Sequence, residues 1–231
     1  QESSDFGRNI FYDNDGFVIT GSTEIDSASI SNGYAIRIDS QGEKIWEYTK
    51  NDSNVTNFSD FRSVFRYESQ YVIMMNRYND DASSNGGSII KLDLDGTFIS
   101  ESLIHDNQNY RSTISESYYQ QNGLEIVLVG SAIAGEGGQG SGYVSCVDLF
   151  GNPQWSFFTE PWSEFKSVIW HEDKIIIAGM KTSSTNGNAN GHLVILDNNG
   201  NLLDEINYES DEWNHFEDVN WVDFKGNNEI V

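Results

Sequence analysis

Short, dense apolar runs recur along the chain: "FVITG", "YVIMM", "IVLVG" and "KIIIAG", each followed by a second run, "GYAIRID", "GSIIKLD", "GYVSCVD" and "GHLVILD". None carries apolar residues at helical spacing, so the pattern predicts strands throughout. The runs are apolar at successive positions, as a strand buried on both faces requires. The sheets they form are therefore expected to lie sandwiched between neighbouring sheets. Each second run ends in Asp-x-x-Gly, where the Asp side chain can bond the turn amides and the Gly takes the positive φ that closes the turn. A further strand then begins, as "KIWEY" or "PQWSFF".

These elements form a repeat. Asp39, Asp93, Asp148 and Asp197 follow one another at steps of 54, 55 and 49 residues. The glycines after them, Gly42, Gly96, Gly151 and Gly200, keep those steps, as do Gly33, Gly87, Gly142 and Gly191 before them. Gly21, Met75, Gly130 and Gly179 each stand 18 residues ahead of their Asp. Self-similarity at about 50 residues, built from strands alone, predicts an all-β fold: a β-propeller with one four-stranded antiparallel blade per repeat. Strand a is "FRSVF" or "FKSVI", the two apolar runs are b and c, and the segment after the Asp-x-x-Gly turn is d. The expected blades lie at about 6–50, 61–104, 110–160 and 165–208, within a single propeller domain over 1–231. Residues 216–231 read as the start of a fifth, so the chain is expected to belong to a larger ring. Trp46 and Trp155, four residues past a turn glycine, are expected to pack between blades as structural residues.

Charge narrows the partners. Against 13 Lys and Arg stand 36 Asp and Glu, a net charge of −23. Polyanions such as nucleic acid, and anionic membrane surfaces, would be repelled. No run reaches the roughly 18 apolar residues of a spanning helix. The single cysteine, Cys146, excludes a disulfide framework and reads as a buried, inert thiol.

Loop lengths point to one face. The a–b and c–d turns are short, whereas the b–c loops, Ser22–Asn32, Asn76–Gly86, Ser131–Ser141 and Met180–Asn190, are each expected to span 11 residues. The d–a connections lie at the same end, and a rigid scaffold usually carries its function on such loops. The binding candidates there are Tyr78, Asp80, Asp81, Trp162, Glu164, Asp211, Glu212 and Trp213. No catalytic or metal-ligating residues are singled out. His105, His171, His192 and His215 show no ligand spacing, and the Asp-x-x-Gly turns lack the alternating oxygen donors of a calcium loop. Asn51, Asn54 and Asn57 each begin an N-x-S/T sequon.

The stretches "GFVITGS", "GYAIRIDSQGEKIW", "SIIKLDLDG", "IVLVGS", "GYVSCVDLFGNPQW" and "HLVILDNNG" together resemble the repeat of secreted or surface-associated bacterial β-propellers of the quinoprotein-like type. The resemblance implies a propeller, at the cell surface, outside the cell or in the periplasm. Quinoprotein dehydrogenases use an adjacent cysteine pair, which one cysteine cannot supply, so no cofactor is expected. The sialidase Asp-box has spacings one residue shorter than those here. The expected function is a non-enzymatic scaffold that binds a protein partner through its long-loop face. The alternative is a glycan-binding or carbohydrate-active propeller using loop aromatics and carboxylates.

Overall fold

The computed structural model describes residues 5–25, 30–50, 58–78, 86–104, 110–120, 124–134, 140–183, 187–208, 224–225 and 229–230. The fold is all-β, as the repeat requires. The first sheet is a meander of β1 (Asp5–Asp13), β2 (Gly16–Ile25), β3 (Ile30–Asp39) and β4 (Lys44–Thr49). The second runs through β5 (Phe58–Tyr67), β6 (Gln70–Tyr78), β7 (Gly86–Asp93) and β8 (Phe98–Leu103). The third is β9 (Tyr110–Gln120), β10 (Glu125–Ala134), β11 (Gly140–Asp148) and β12 (Pro153–Pro161). The fourth is β13 (Ser163–His171), β14 (Lys174–Thr182), β15 (Ala189–Asp197) and β16 (Leu202–Tyr208). Each is one antiparallel blade of a β-propeller.

The repeat markers acquire physical reasons. In all four c–d turns one Asp oxygen accepts two backbone amides, as in Gln41 N and Glu43 N onto Asp39 Oδ1, both 2.9 Å. Asp93, Asp148 and Asp197 repeat the bond. The turn glycines Gly42, Gly96, Gly151 and Gly200 have φ between +79 and +87. Further upstream, strand a of every blade carries a β-bulge: one residue, Arg8, Arg62, Ser115 or Lys166, is skipped in its pairing with strand b. Gly21, Gly130 and Gly179 face these bulges, and a Cβ on Gly21 or Gly130 would stand 1.8 Å from a carbonyl oxygen of strand a. In the second blade Met75 occupies that place.

The chain falls into two compact units, Gln1–Ile104 and His105–Val231. Each unit holds two blades packed face to face. In the first, Val18, Ala35 and Trp46 of one blade meet Phe61, Val64, Tyr71, Ile73, Met75, Ile90 and Leu92 of the next. In the second, Val127, Val129, Val144 and Cys146 meet Phe165, Val168, Trp170, Ile175, Ile177, Val194 and Leu196. Trp46 is 9% exposed and its Nε1 donates to Leu94 O of the neighbouring c–d turn at 3.0 Å. Trp155 repeats this, donating to Asn198 O at 3.1 Å. Both tryptophans are therefore inter-blade packing residues.

The structure changes one expectation. Strands b and c run on into the expected 11-residue loops, reaching Ile25 and Ile30 in the first blade and Ala134 and Gly140 in the third. The extra ladder bonds satisfy backbone groups that a loop would leave to water. Near the C-terminus β17 (Phe224–Lys225) pairs with β18 (Glu229–Ile230).

Candidate functional site

The end of each blade carrying the d–a and b–c connections is built by the first residues of strand a. In the second unit the third and fourth blades are joined there by a single residue, Trp162, between β12 and β13. The expected long connection is absent at this position because β12 runs on to Pro161 and pairs with Ser141 of β11. So short a link forces a sharp reversal, and Trp162 takes φ +73. An L-residue with a bulky side chain is an outlier there, at a cost of about 1–3 kcal/mol. The backbone is pinned on both sides: Trp162 N donates to Gly140 O at 2.6 Å, and Thr182 N donates to Trp162 O at 2.7 Å. The indole remains 49% exposed.

Beside it Ser163 Oγ accepts the Gly142 amide at 2.8 Å and donates to Glu160 O at 2.8 Å, and it also bonds the Thr159 hydroxyl. Glu164 and Lys166 form an ion pair at 2.7 Å. Across the sheet Lys181 Nζ reaches Glu205 Oε1 at 2.9 Å, and His192 Nε2 lies 2.9 Å from the same oxygen. Because the carboxylate accepts, the His192 ring carries its proton on Nε2. Burial pushes His192 below its ordinary value, against the opposing pull of Glu205. The Lys181 ammonium holds Glu205 below the usual carboxylate range.

The first unit shows the same position with a different set. Asp60 of β5, the counterpart of Glu164, is 0% exposed. Its Oδ2 is 2.9 Å from Arg62 Nη2 and 3.3 Å from Arg8 Nε, and the Ser22 hydroxyl also bonds it. Burial pushes the Asp60 carboxyl up, and the two guanidiniums only partly offset that rise. At the edge of the same end Lys50 Nζ pairs with Glu101 at 2.8 Å, with Arg77 3.7 Å from the other oxygen.

Of the residues singled out from sequence, Trp162 and Glu164 come together as described. Tyr78 ends β6 opposite Phe58. Asp80, Asp81, Asp211, Glu212 and Trp213 lie outside the described residues, as do the side chain of Tyr78 and Asn51, Asn54 and Asn57. Sequence reasoning missed Arg8, Asp60, Arg62 and Lys166. A signal was present in "SDFRSV" and "SEFKSV", Ser59–Val64 and Ser163–Val168, where an acid and a base flank a buried Phe.

No protein-family model matches the chain, and no curated protein matches it. Solved structures do. An exo-beta-1,3-galactanase from Clostridium thermocellum superposes with a TM-score of 0.57 at 12% identity, over 87% of this chain and 47% of that one. The β-propeller domain of the Trilobed protease from Pyrococcus furiosus gives 0.50 at 12%, over 89% of this chain and 57% of that one. The endo-arabinase from Bacteroides thetaiotaomicron gives 0.55 at 11%, over 97% and 86%. The chain thus spans about half the length of the first two, and at such identities what it shares with all three is the β-propeller fold.

Proposed function

We propose that this chain is a carbohydrate-binding β-propeller, secreted or held at a cell surface, that acts by binding and not by catalysis. Trp162 carries the reading. Glycine would relieve a φ of +73, yet the position holds the largest side chain available, half in water on a backbone pinned by two hydrogen bonds. A locally unfavourable residue kept rigid and exposed fits a site better than a fold. Its neighbours Glu160, Ser163, Glu164 and Lys166 are polar, so the indole is a platform among hydrogen-bonding groups. A sugar ring, with one apolar face and a rim of hydroxyls, matches that layout; a protein partner would call for a contiguous apolar patch of several hundred Å². Two carboxylates at this end are engaged by cations, Glu164 by Lys166 and Glu205 by Lys181, which favours holding over proton transfer. The galactanase and the arabinase have the same fold, and the reading rests on Trp162, not on them.

A glycan array with a parallel hydrolysis screen tests this. Binding of a defined glycan without cleavage is the expected result. Trp162→Gly should abolish that binding while raising the melting temperature, because it removes the strained residue. Cleavage of a glycan, or binding undiminished in Trp162→Gly, would overturn the proposal.

A further inference from the structure

The bulge in strand a re-aims one side chain per blade, and bulges commonly serve to place a side chain at a site. Only 13 of 231 residues are basic, yet three of the four bulge positions hold a base: Arg8, Arg62 and Lys166. In the first unit two of these arginines, from adjacent blades, converge on one buried carboxylate, Asp60. One guanidinium would neutralise it. The second leaves the cluster with a net positive charge in a strongly acidic chain, a poor arrangement for a structural bolt. Arg8 and Arg62 keep 40% and 24% of their side-chain surface and make no further ion pair among the described residues. Arg62 adds an independent sign. Its Nε is buried and donates to no acceptor among the described residues, the kind of unpaired donor that an oxyanion would engage.

We propose that Arg8 and Arg62, oriented by Asp60, form an oxyanion-binding site in the first unit, taking a carboxylate, phosphate or sulfate group through their remaining N–H donors. Two guanidiniums facing one group give the planar, multi-dentate geometry that oxyanions favour. The second unit has Ser115 where the first has Arg8, so its Glu164–Lys166 pair carries no such surplus charge. The site is built from residues of the first unit and Trp162 belongs to the second, so each proposal can fail without the other.

Inorganic phosphate, inorganic sulfate and sodium glucuronate are titrated into the 231-residue chain by calorimetry, in about 0.15 M chloride so that the negative field of the chain is screened beyond roughly 8 Å. Glucose serves as the neutral control. The expected result is binding of at least one oxyanion and none of glucose. Arg8→Gln, at a well-exposed side chain, should weaken it about 10-fold or more. Arg8→Lys, which keeps charge but loses the fork, should fall between. Lys44→Gln should bind as the parent does. Stronger phosphate or sulfate than glucuronate binding would indicate a free or esterified inorganic group; the reverse would indicate an acidic sugar. No oxyanion binding above chloride, or equal binding by parent and folded Arg8→Gln, would overturn the proposal.

Discussion

The two units are built to one plan above their cores and to opposite plans at the a–b turn end. Both lock their blades with the same three devices. A serine, Ser59 or Ser163, accepts the amide of Gly33 or Gly142 at 2.8 Å. A phenylalanine, Phe61 or Phe165, fills the space that a Cβ on that glycine would occupy. A tryptophan, Trp46 or Trp155, lies on the turn glycine of the next blade, Gly96 or Gly200. At the a–b turn end the first unit then buries charge. Tyr71 donates to Asp13, Arg66 Nη1 donates to the other Asp13 oxygen at 2.7 Å, and Arg37 stands 3.7 Å away while bonding Asp15 at 2.9 Å. Strand register sets Asp13, Tyr71, Arg66 and Arg37 against Gln120, Ile175, Trp170 and Cys146 in the second unit, where Cys146, Trp170 and Ile175 join the apolar core and burial pushes the Cys146 thiol up to about 12. One backbone plan thus accepts either an ion cluster or a packed apolar one, since each leaves few buried polar groups unpaired.

The largest test of the shared plan is removal of its tryptophans. Trp46→Ala should cost about 3–5 kcal/mol in chemical unfolding, and Trp155→Ala less, because its indole is less deeply buried. Equal, negligible losses would show that the turn contacts do not hold the blades.

The contrast between the units is broken next by Asp13→Ala. Leaving Arg66, Arg37 and the Tyr71 hydroxyl without their acceptor should cost about 3 kcal/mol, whereas Gln120→Ala at the counterpart position should cost under about 1 kcal/mol. Tyr71→Phe, which deletes one bond only, should cost about 1–2 kcal/mol. If Gln120→Ala proved as damaging as Asp13→Ala, the two ends would not differ in kind.

Glycine substitutions sharpen the comparison at smaller scale. Gly42 and Gly96 share positive φ, but a Cβ meets nothing within 4 Å at Gly42 and stands 2.6 Å from Trp46 at Gly96. Gly42→Ala should therefore cost about 1–2 kcal/mol for backbone alone, and Gly96→Ala measurably more. Matching losses would remove the role given to the tryptophan contact.

The smallest effect is in pH. His192 has a lowered value, so its contribution is complete above the ordinary histidine value of about 6.5 and is lost as pH falls through the lowered one. Burial raises Asp13, but Tyr71, Arg66 and Arg37 outweigh it, so its contribution persists until pH drops below about 3.9. Asp60, raised by burial, works in the other direction in the first unit, gaining stability on acidification. Between pH 7 and 5, hydrogen exchange should accelerate in β14 and β15 before β6 and β7, and His192→Gln should flatten that response. Simultaneous loss in both units would contradict the assignment.

The sequence by itself determined what recurs. Strands, turns and blade borders follow from spacing and from residue chemistry that acts within a few positions, so four copies of Asp-x-x-Gly and of paired apolar runs sufficed to read them. Trp46 and Trp155 were legible as packing residues for the same reason. The tertiary structure alone decided what occurs once. Asp13, Arg37, Arg66 and Tyr71 share no motif and meet only because two blades pack. Arg8 and Asp60 lie in different repeats, and their pairing depends on a bulge that an apolar pattern does not display. Trp162 was visible as an exposed aromatic, but its left-handed backbone exists because two strands run to within one residue of each other. Local chemistry sets the repeat, and the sites arise where long-range packing brings its irregular members together.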